Sequence, residues 1–301
     1  MLNVLTPFLL LLFFWGCGEN ERQPPSQDGP LVVASIFPLG DLTQQLVGDA
    51  ARVEVLLPPG ASPATFDVVP RSLLELQGGS LFVMVGGGLD DWLADVAGGP
   101  DSQARVLRVA DGLHLLAEAD EHAHHGTGNP HIWLDPILVR DEVVPKLSRA
   151  LAEVLPEAAD AILSRADELT DSLTALDGEI RATLEPLQQR SFIATHSAWS
   201  YFALRYDLDE AGVIHLHPGQ DPSSREMARL TEIARAKKIP GLFVEPQLGE
   251  VAARALAAEL SLPSFTLDPL GGPDEEGREG YFALLRFNTA QLVRGLGDGV
   301  Q

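Results

Sequence analysis

Between Glu157 and Leu184 the apolar residues Ile162, Ala166, Leu169, Leu173, Leu176, Ile180 and Leu184 recur three and four apart. That spacing puts them on one stripe of an α-helix. At 1.5 Å per residue such a helix is about 40 Å long, more than a crossover inside one small domain needs. It suits a rigid connection between two lobes, or a long brace packed on a single domain. With 301 residues, 45% of them apolar, the chain can bury one large core or two smaller ones.

On either side of this segment short apolar runs alternate with helical ones. LVVASIF (Leu31–Phe37), VEVLL from Val53, LFVMVGGG (Leu81–Gly88) and VLRVA from Val106 read as strands before it. After it come SFIAT from Ser191, VIHLHPG from Val213, LFVEPQ from Leu242 and SFTLDPLGG from Ser264. The runs do not alternate apolar with polar, as expected of strands covered on both faces. Segments such as PLGDLTQQLVG, DEVVPKLSRALAEVLP, SREMARLTEIARAKK, GEVAARALAAEL and LLRFNTAQLVRGLG have helical rhythm. The expected architecture is α/β, with mostly parallel sheets flanked by helices.

Acidic residues number 43 against 21 Lys plus Arg, a formal net charge of −22. Such a surface repels nucleic acid and raises the local concentration of cations in an acid-lined cleft. The N-terminus carries an apolar run, Leu9–Trp15, too short to span a bilayer, followed by Gly16 and the only cysteine, Cys17. A lone cysteine forms no internal disulfide. In this position it resembles the lipid-attachment cysteine of a bacterial lipoprotein signal, which implies an extracytoplasmic chain anchored to the membrane. Residues 18–30 are polar and proline-containing, suited to a tether. The division expected is therefore 1–17 signal, 18–30 tether, 31–156 first lobe, 157–185 long helix and 186–301 second lobe.

In an α/β sheet, ligands bind beyond the C-terminal ends of the strands. His196, His217, Glu245 and Asp268 all follow apolar runs in the second half, and His131 stands in NPHIWLDP in the first. Imidazole nitrogens with a carboxylate suit zinc, or manganese where oxygen donors dominate. Glu245 reads as a helix cap or as an acceptor orienting a ligand histidine. Half of the eight histidines fall between His122 and His131. His122, His124 and His125 lie in an acidic run without apolar periodicity, which suits an auxiliary loop collecting cations weakly.

PPGASPATFDVVP, LFVMVGGGLDDWL, NPHIWLDP, THSAWSYFALRYDL, LFVEPQ and LDPLGG occur in that order along the chain. They resemble the segments of the metal-specific solute-binding lipoproteins of bacterial zinc and manganese ABC importers, over almost the whole chain from VVASIFPLGDL onward. The resemblance implies two Rossmann-like lobes joined by a long rigid helix. It implies a divalent ion, Zn2+ or alternatively Mn2+, held in the cleft, and a monomer that delivers it to an importer permease. His131, His196 and Asp268 match three of the family's ligand positions, and the histidine at His196 leans toward zinc. Where the family has a histidine after PGASP, this chain has Ala64. The fourth ligand is then water, a loop histidine or His217.

Other functions have weaker support in the sequence. Three protein ligands with water also describe a zinc hydrolase, for which Glu245 would serve as base, but no HExxH pattern accompanies it. An organic-solute cleft calls for aromatic walls, and aromatics are 6% of the chain. A metal-binding adhesin or chaperone role is compatible with the same site.

Overall fold

The computed structural model describes residues 29–68, 78–97, 105–117, 128–215 and 220–297. Cys17 with the signal and most of the tether, the His122–His125 run and His217 lie outside the described residues.

The first sheet contains β1 (Leu31–Ala34), β2 (Arg52–Val55), β3 (Gly79–Met84) and β4 (Arg105–Arg108), in the order β2-β1-β3-β4. The second contains β5 (Ser191–Ala194), β6 (Asp209–Val213), β7 (Leu242–Val244) and β8 (Ser264–Thr266), in the equivalent order β6-β5-β7-β8. Every pairing is parallel. The helices are α1 (Phe37–Val47), α2 (Trp92–Ala97), α3 (Pro136–Leu138), α4 (Val144–Val154), α5 (Ala159–Leu184), α6 (Ser200–Arg205), α7 (Ser224–Lys237), α8 (Val251–Leu260) and α9 (Tyr281–Leu296). A π-helical turn, Val139–Val143, joins α3 to α4. The result is two Rossmann-like lobes.

Side-chain alternation explains why the strands lack polar residues. Leu31, Val33, Phe82 and Met84 pack on α2 residues Leu93 and Ala97, while Val32, Ala34, Leu81 and Val83 turn to the opposite face and join the main core. In the second sheet Ile193 and Leu242 meet Leu230, Ala234, Ala253 and Leu256 of α7 and α8. Phe192, Ala194 and Phe243 share the main core with Tyr281, Leu285 and Leu292 of α9. Both faces of the central strands β1, β3, β5 and β7 are therefore covered, the condition in which strands become continuous apolar runs.

The seven stripe residues of α5 are all buried, and they join one core that includes both sheets. The long helix packs on α1, α4 and α9, so it touches helices from both lobes. Its burial is worth about 1.5–3 kcal/mol for each fully covered large aliphatic side chain. Separating the lobes would expose this shared core.

Two expectations need correction. The strand read from Val213 through the VIHLHPG run instead ends at Val213 and begins four residues earlier, at Asp209. As the outer strand of its sheet, β6 is only half buried, so DEAGV lacks the apolar signature of a central strand. Ile214 and His215 still donate backbone hydrogen bonds to Ala194 and Thr195, at 3.0 and 2.8 Å. The first strand is also shorter than read: it ends at Ala34, and Phe37 already belongs to α1. The six-residue helices α2 and α6 are too short to show a periodicity.

Candidate metal centre

The second sheet changes direction of progression at β5, which has β6 on one side and β7 on the other. The crevice beyond the C-terminal ends of β5 and β7 is a topological switch point, where such folds bind ligands. His196 follows β5 by two residues and Glu245 follows β7 directly. Thr195 ties the two ends together: its hydroxyl donates to the Phe243 carbonyl (3.2 Å) and accepts from the Glu245 N–H (3.1 Å).

His131 reaches the same crevice from the connection that precedes α3. Ile132, Trp133 and Leu134 form a buried 3-10 turn directly after it. Asp135 stops that turn and caps α3, accepting from the N–H groups of Ile137 and Leu138, with Pro136 in the first turn. Trp133 donates its indole N–H to the Pro269 carbonyl (2.7 Å), and the Tyr281 hydroxyl donates to the Trp133 carbonyl (2.7 Å). Apolar burial and these bonds to the second half of the chain fix where His131 stands.

The two histidines meet through their outer nitrogens, His131 Nε2 and His196 Nε2 being 3.2 Å apart. Behind each ring is an acceptor. Asn129 Oδ1 lies 2.8 Å from His131 Nδ1 and also accepts the His131 backbone N–H. The Asn129 amide nitrogen donates to the Ser197 carbonyl (2.7 Å), which assigns its oxygen to the histidine. Glu245 Oε2 lies 2.6 Å from His196 Nδ1, and Glu245 Oε1 accepts the His196 backbone N–H. With His131 Nδ1 bonded to Asn129 and His196 Nδ1 paired with the Glu245 carboxylate, both Nε2 atoms face one gap. Lone pairs held that close require a positive charge between them.

A shared proton is one such charge and a divalent ion is another. Two nitrogens bound to one tetrahedral zinc at its usual bond lengths lie about 3.3 Å apart. The pair already has this spacing, so the residues fit the ion. The electrostatics of the protonated state are asymmetric. Burial, with the neighbouring His196, holds the His131 pKa well below the usual imidazole value. At His196 burial also opposes charge, but the Glu245 carboxylate and then Glu210 outweigh it and raise the pKa. These shifts favour a proton on His196 over one on His131.

Glu210 was not anticipated from the sequence. It sits on β6 and accepts from the Ser200 hydroxyl (2.7 Å) and the Trp199 N–H (3.3 Å). Burial pushes its carboxyl up to about 7, against the lowering effect of those bonds and of His196. Asn129 was also missed, although its place two residues before His131 permits the local side-chain bond that orients the ring.

Asp268 stands beyond β8, the neighbour of β7, and is 1% exposed. Its Oδ1 accepts from Gln247 Nε2 (2.7 Å) and from the N–H groups of Leu270 (2.9 Å) and Gly271 (3.0 Å). Its Oδ2 accepts from Arg278 Nη1 at 2.6 Å. Asn288 pairs with its backbone in both directions. The structure thus brings His131, His196 and Glu245 together and engages Asp268 separately with Arg278. Among the described residues no three His, Cys, Asp or Glu side chains form a ready metal cage. Ala64 lies exposed in a 3-10 turn after β2. His215, which ends the β6 ladder, directs Nδ1 to the Gln220 carbonyl at 2.8 Å.

Residues 32–295 match the family described as zinc-uptake complex component A, periplasmic. The chain belongs to this family. That description is of a component of an uptake system. A Thermotoga maritima relative, named as a candidate metal-binding protein, is 31% identical over 269 residues, covering 89% of this chain and 93% of the relative. The zinc-binding lipoprotein AdcA of Streptococcus pneumoniae is 26% identical over 97% of this chain, which spans 60% of the length of that relative. Among solved structures, ZnuA superposes with a TM-score of 0.80 at 27% identity, covering 90% of this chain and all of the ZnuA chain. The laminin-binding protein of Streptococcus agalactiae, described as having adhesin and metal-transporting activity, gives 0.79 at 25% identity, covering 89% of this chain and all of that one.

Proposed function

We propose that this chain is an extracytoplasmic solute-binding protein that captures a zinc ion between its lobes and delivers it to an ABC importer permease. The observation that carries the reading is the pair of Nε2 atoms 3.2 Å apart, each ring backed by an acceptor on Nδ1. Acceptors of this kind raise ligand basicity and fix the tautomer that a metal needs. Two imidazoles favour zinc over manganese, which prefers oxygen donors. Membership of the zinc-uptake family and the zinc-binding name of the pneumococcal relative support the same cargo. Anchoring through a lipid on Cys17 belongs to the proposal, as does delivery to a permease.

His131 and His196 supply two nitrogens, Glu245 holds the second ring and offsets the incoming charge, and Asp268 supplies an oxygen. Water, a histidine of the His122–His125 run or His217 completes the set, since Ala64 cannot coordinate an ion. Isothermal titration of the metal-free chain is expected to show one tight zinc site and a weaker response to manganese. H131A and H196A are each expected to weaken zinc at least about 100-fold, beyond the 10–100-fold typical of residues that only support a ligand. A folded H131A/H196A double variant that keeps wild-type zinc affinity refutes the reading.

The adhesin reading rests on the laminin-binding relative. It is compatible with zinc capture, and binding of immobilised laminin with and without zinc distinguishes the two roles.

A further inference from the structure

The loop from β8 to α9 places a cation on a carboxylate oxygen that a metal ion would need. Arg278 is largely buried, its side chain 15% exposed, and its Nη1 lies 2.6 Å from Asp268 Oδ2, whose side chain is 2% exposed. Its Nη2 contacts Glu275 Oε2 at 2.7 Å, and its guanidinium stands 4.9 Å from the Phe287 ring centroid. Asp268 does not need Arg278 for its position. Gln247 and the N–H groups of Leu270 and Gly271 hold Oδ1, and Asn288 on α9 clamps the backbone. Among the described residues Arg278 is the partner of Oδ2, the oxygen left to bind anything else.

We propose that Arg278 is an internal counter-cation for Asp268, which a metal ion must displace before it can recruit this carboxylate. This rests on the zinc-capture reading and refines it. A buried carboxylate left without a cation is strongly disfavoured, so the metal-free chain keeps Asp268 neutralised by a residue of its own. A divalent ion held by His131 and His196 competes with the guanidinium for Oδ2. The displaced side chain retains Glu275, itself 37% exposed, as a partner. Arg278 therefore lowers affinity and sets the number of protein oxygens around the ion. The two histidines give a site that binds at once, and Asp268 adds a second stage that closes only when Arg278 swings away. In a protein that must also release its ion, a competitor built into the site has an evident use.

The test is isothermal titration of zinc into the purified chain and its R278Q, D268N and R278Q/D268N variants, with thermal unfolding of each in the metal-free and zinc-loaded states. R278Q is expected to bind zinc at least tenfold more tightly than wild type, and D268N in the R278Q background to cancel that gain. Metal-free R278Q is expected to melt below wild type, and zinc to raise its midpoint by more than it raises that of wild type. R278K keeps a charge but lacks the fork that engages Asp268 and Glu275 together. Its affinity is expected to lie between the two, which keeps the proposal testable should R278Q not fold. If wild type binds zinc while R278Q, or R278K in its stead, binds no more tightly, Arg278 is no competitor and the proposal falls alone. If neither wild type nor any variant binds zinc, the capture reading falls and takes the proposal with it.

Discussion

His131 and His196 turn their free nitrogens toward each other across 3.2 Å, whereas the oxygens of Asp268 are taken by Gln247, two backbone N–H groups and Arg278. The histidine pair has room in its gap for a proton or another small cation, whereas Asp268 is already neutralised by a guanidinium. Both ends are buried, and burial penalises an uncompensated group of either kind. The chain solves this at the aspartate with a fixed guanidinium. At the histidines a proton can play that part, and a metal ion can replace it without displacing a side chain. On the proposed zinc-capture reading, this difference makes the histidine pair the place of first capture.

Substituting Glu245 weakens the histidine pair without removing either ring. In E245Q the acceptor behind His196 keeps its shape but loses its charge. Zinc affinity at neutral pH is expected to fall about 10–100-fold, the range seen when a residue orienting a metal-bound histidine is lost. Calorimetric titration measures it, and an unchanged affinity would mean that Glu245 merely fills space.

A smaller effect concerns protons. His131 has its pKa held low by burial and stays neutral as pH falls through the ordinary imidazole range near 6.5. His196 has a raised pKa and carries a proton above that value. In the metal-free chain the stabilisation from this His196 proton is fully present below pH about 6.5 and is lost as pH rises through the raised pKa. Zinc binding follows the opposite sign, since the ion must expel the same proton. Below the His196 pKa, affinity is expected to drop about tenfold per pH unit, the slope for one proton rather than two. Titrations in buffers of different ionisation enthalpy should show about one proton released per zinc near neutrality, whereas release of two would contradict the asymmetry.

The smallest effect is expected from A64H, which restores the family histidine on an exposed turn. If water fills the fourth position, zinc should tighten by a few-fold, limited by the entropy of ordering a side chain that starts in solvent. If His217 already fills it, the titration should not change.

Much of the fold was legible because burial on both faces leaves a plain trace. All seven stripe residues of α5 are buried as their spacing requires, and every central strand coincides with an apolar run. The outer strand β6 was misplaced because half-exposed residues need not be apolar, so the run beside it gave the stronger signal. His131, His196 and Glu245 were legible as polar groups at loop or strand ends. Asn129, Glu210 and Arg278 were not, because what they do depends on partners from other elements. Arg278 is ten residues beyond Asp268 in a loop without periodicity, and nothing local to either residue announces their pairing.

A zinc-bound crystal structure tests the central claim most directly. One ion is expected between His131 and His196, each Nε2 about 2.0–2.1 Å from it, with both Nδ1 atoms still facing Asn129 and Glu245. Zinc bound with full occupancy elsewhere in the chain, with His131 and His196 still in direct contact with each other, would contradict it.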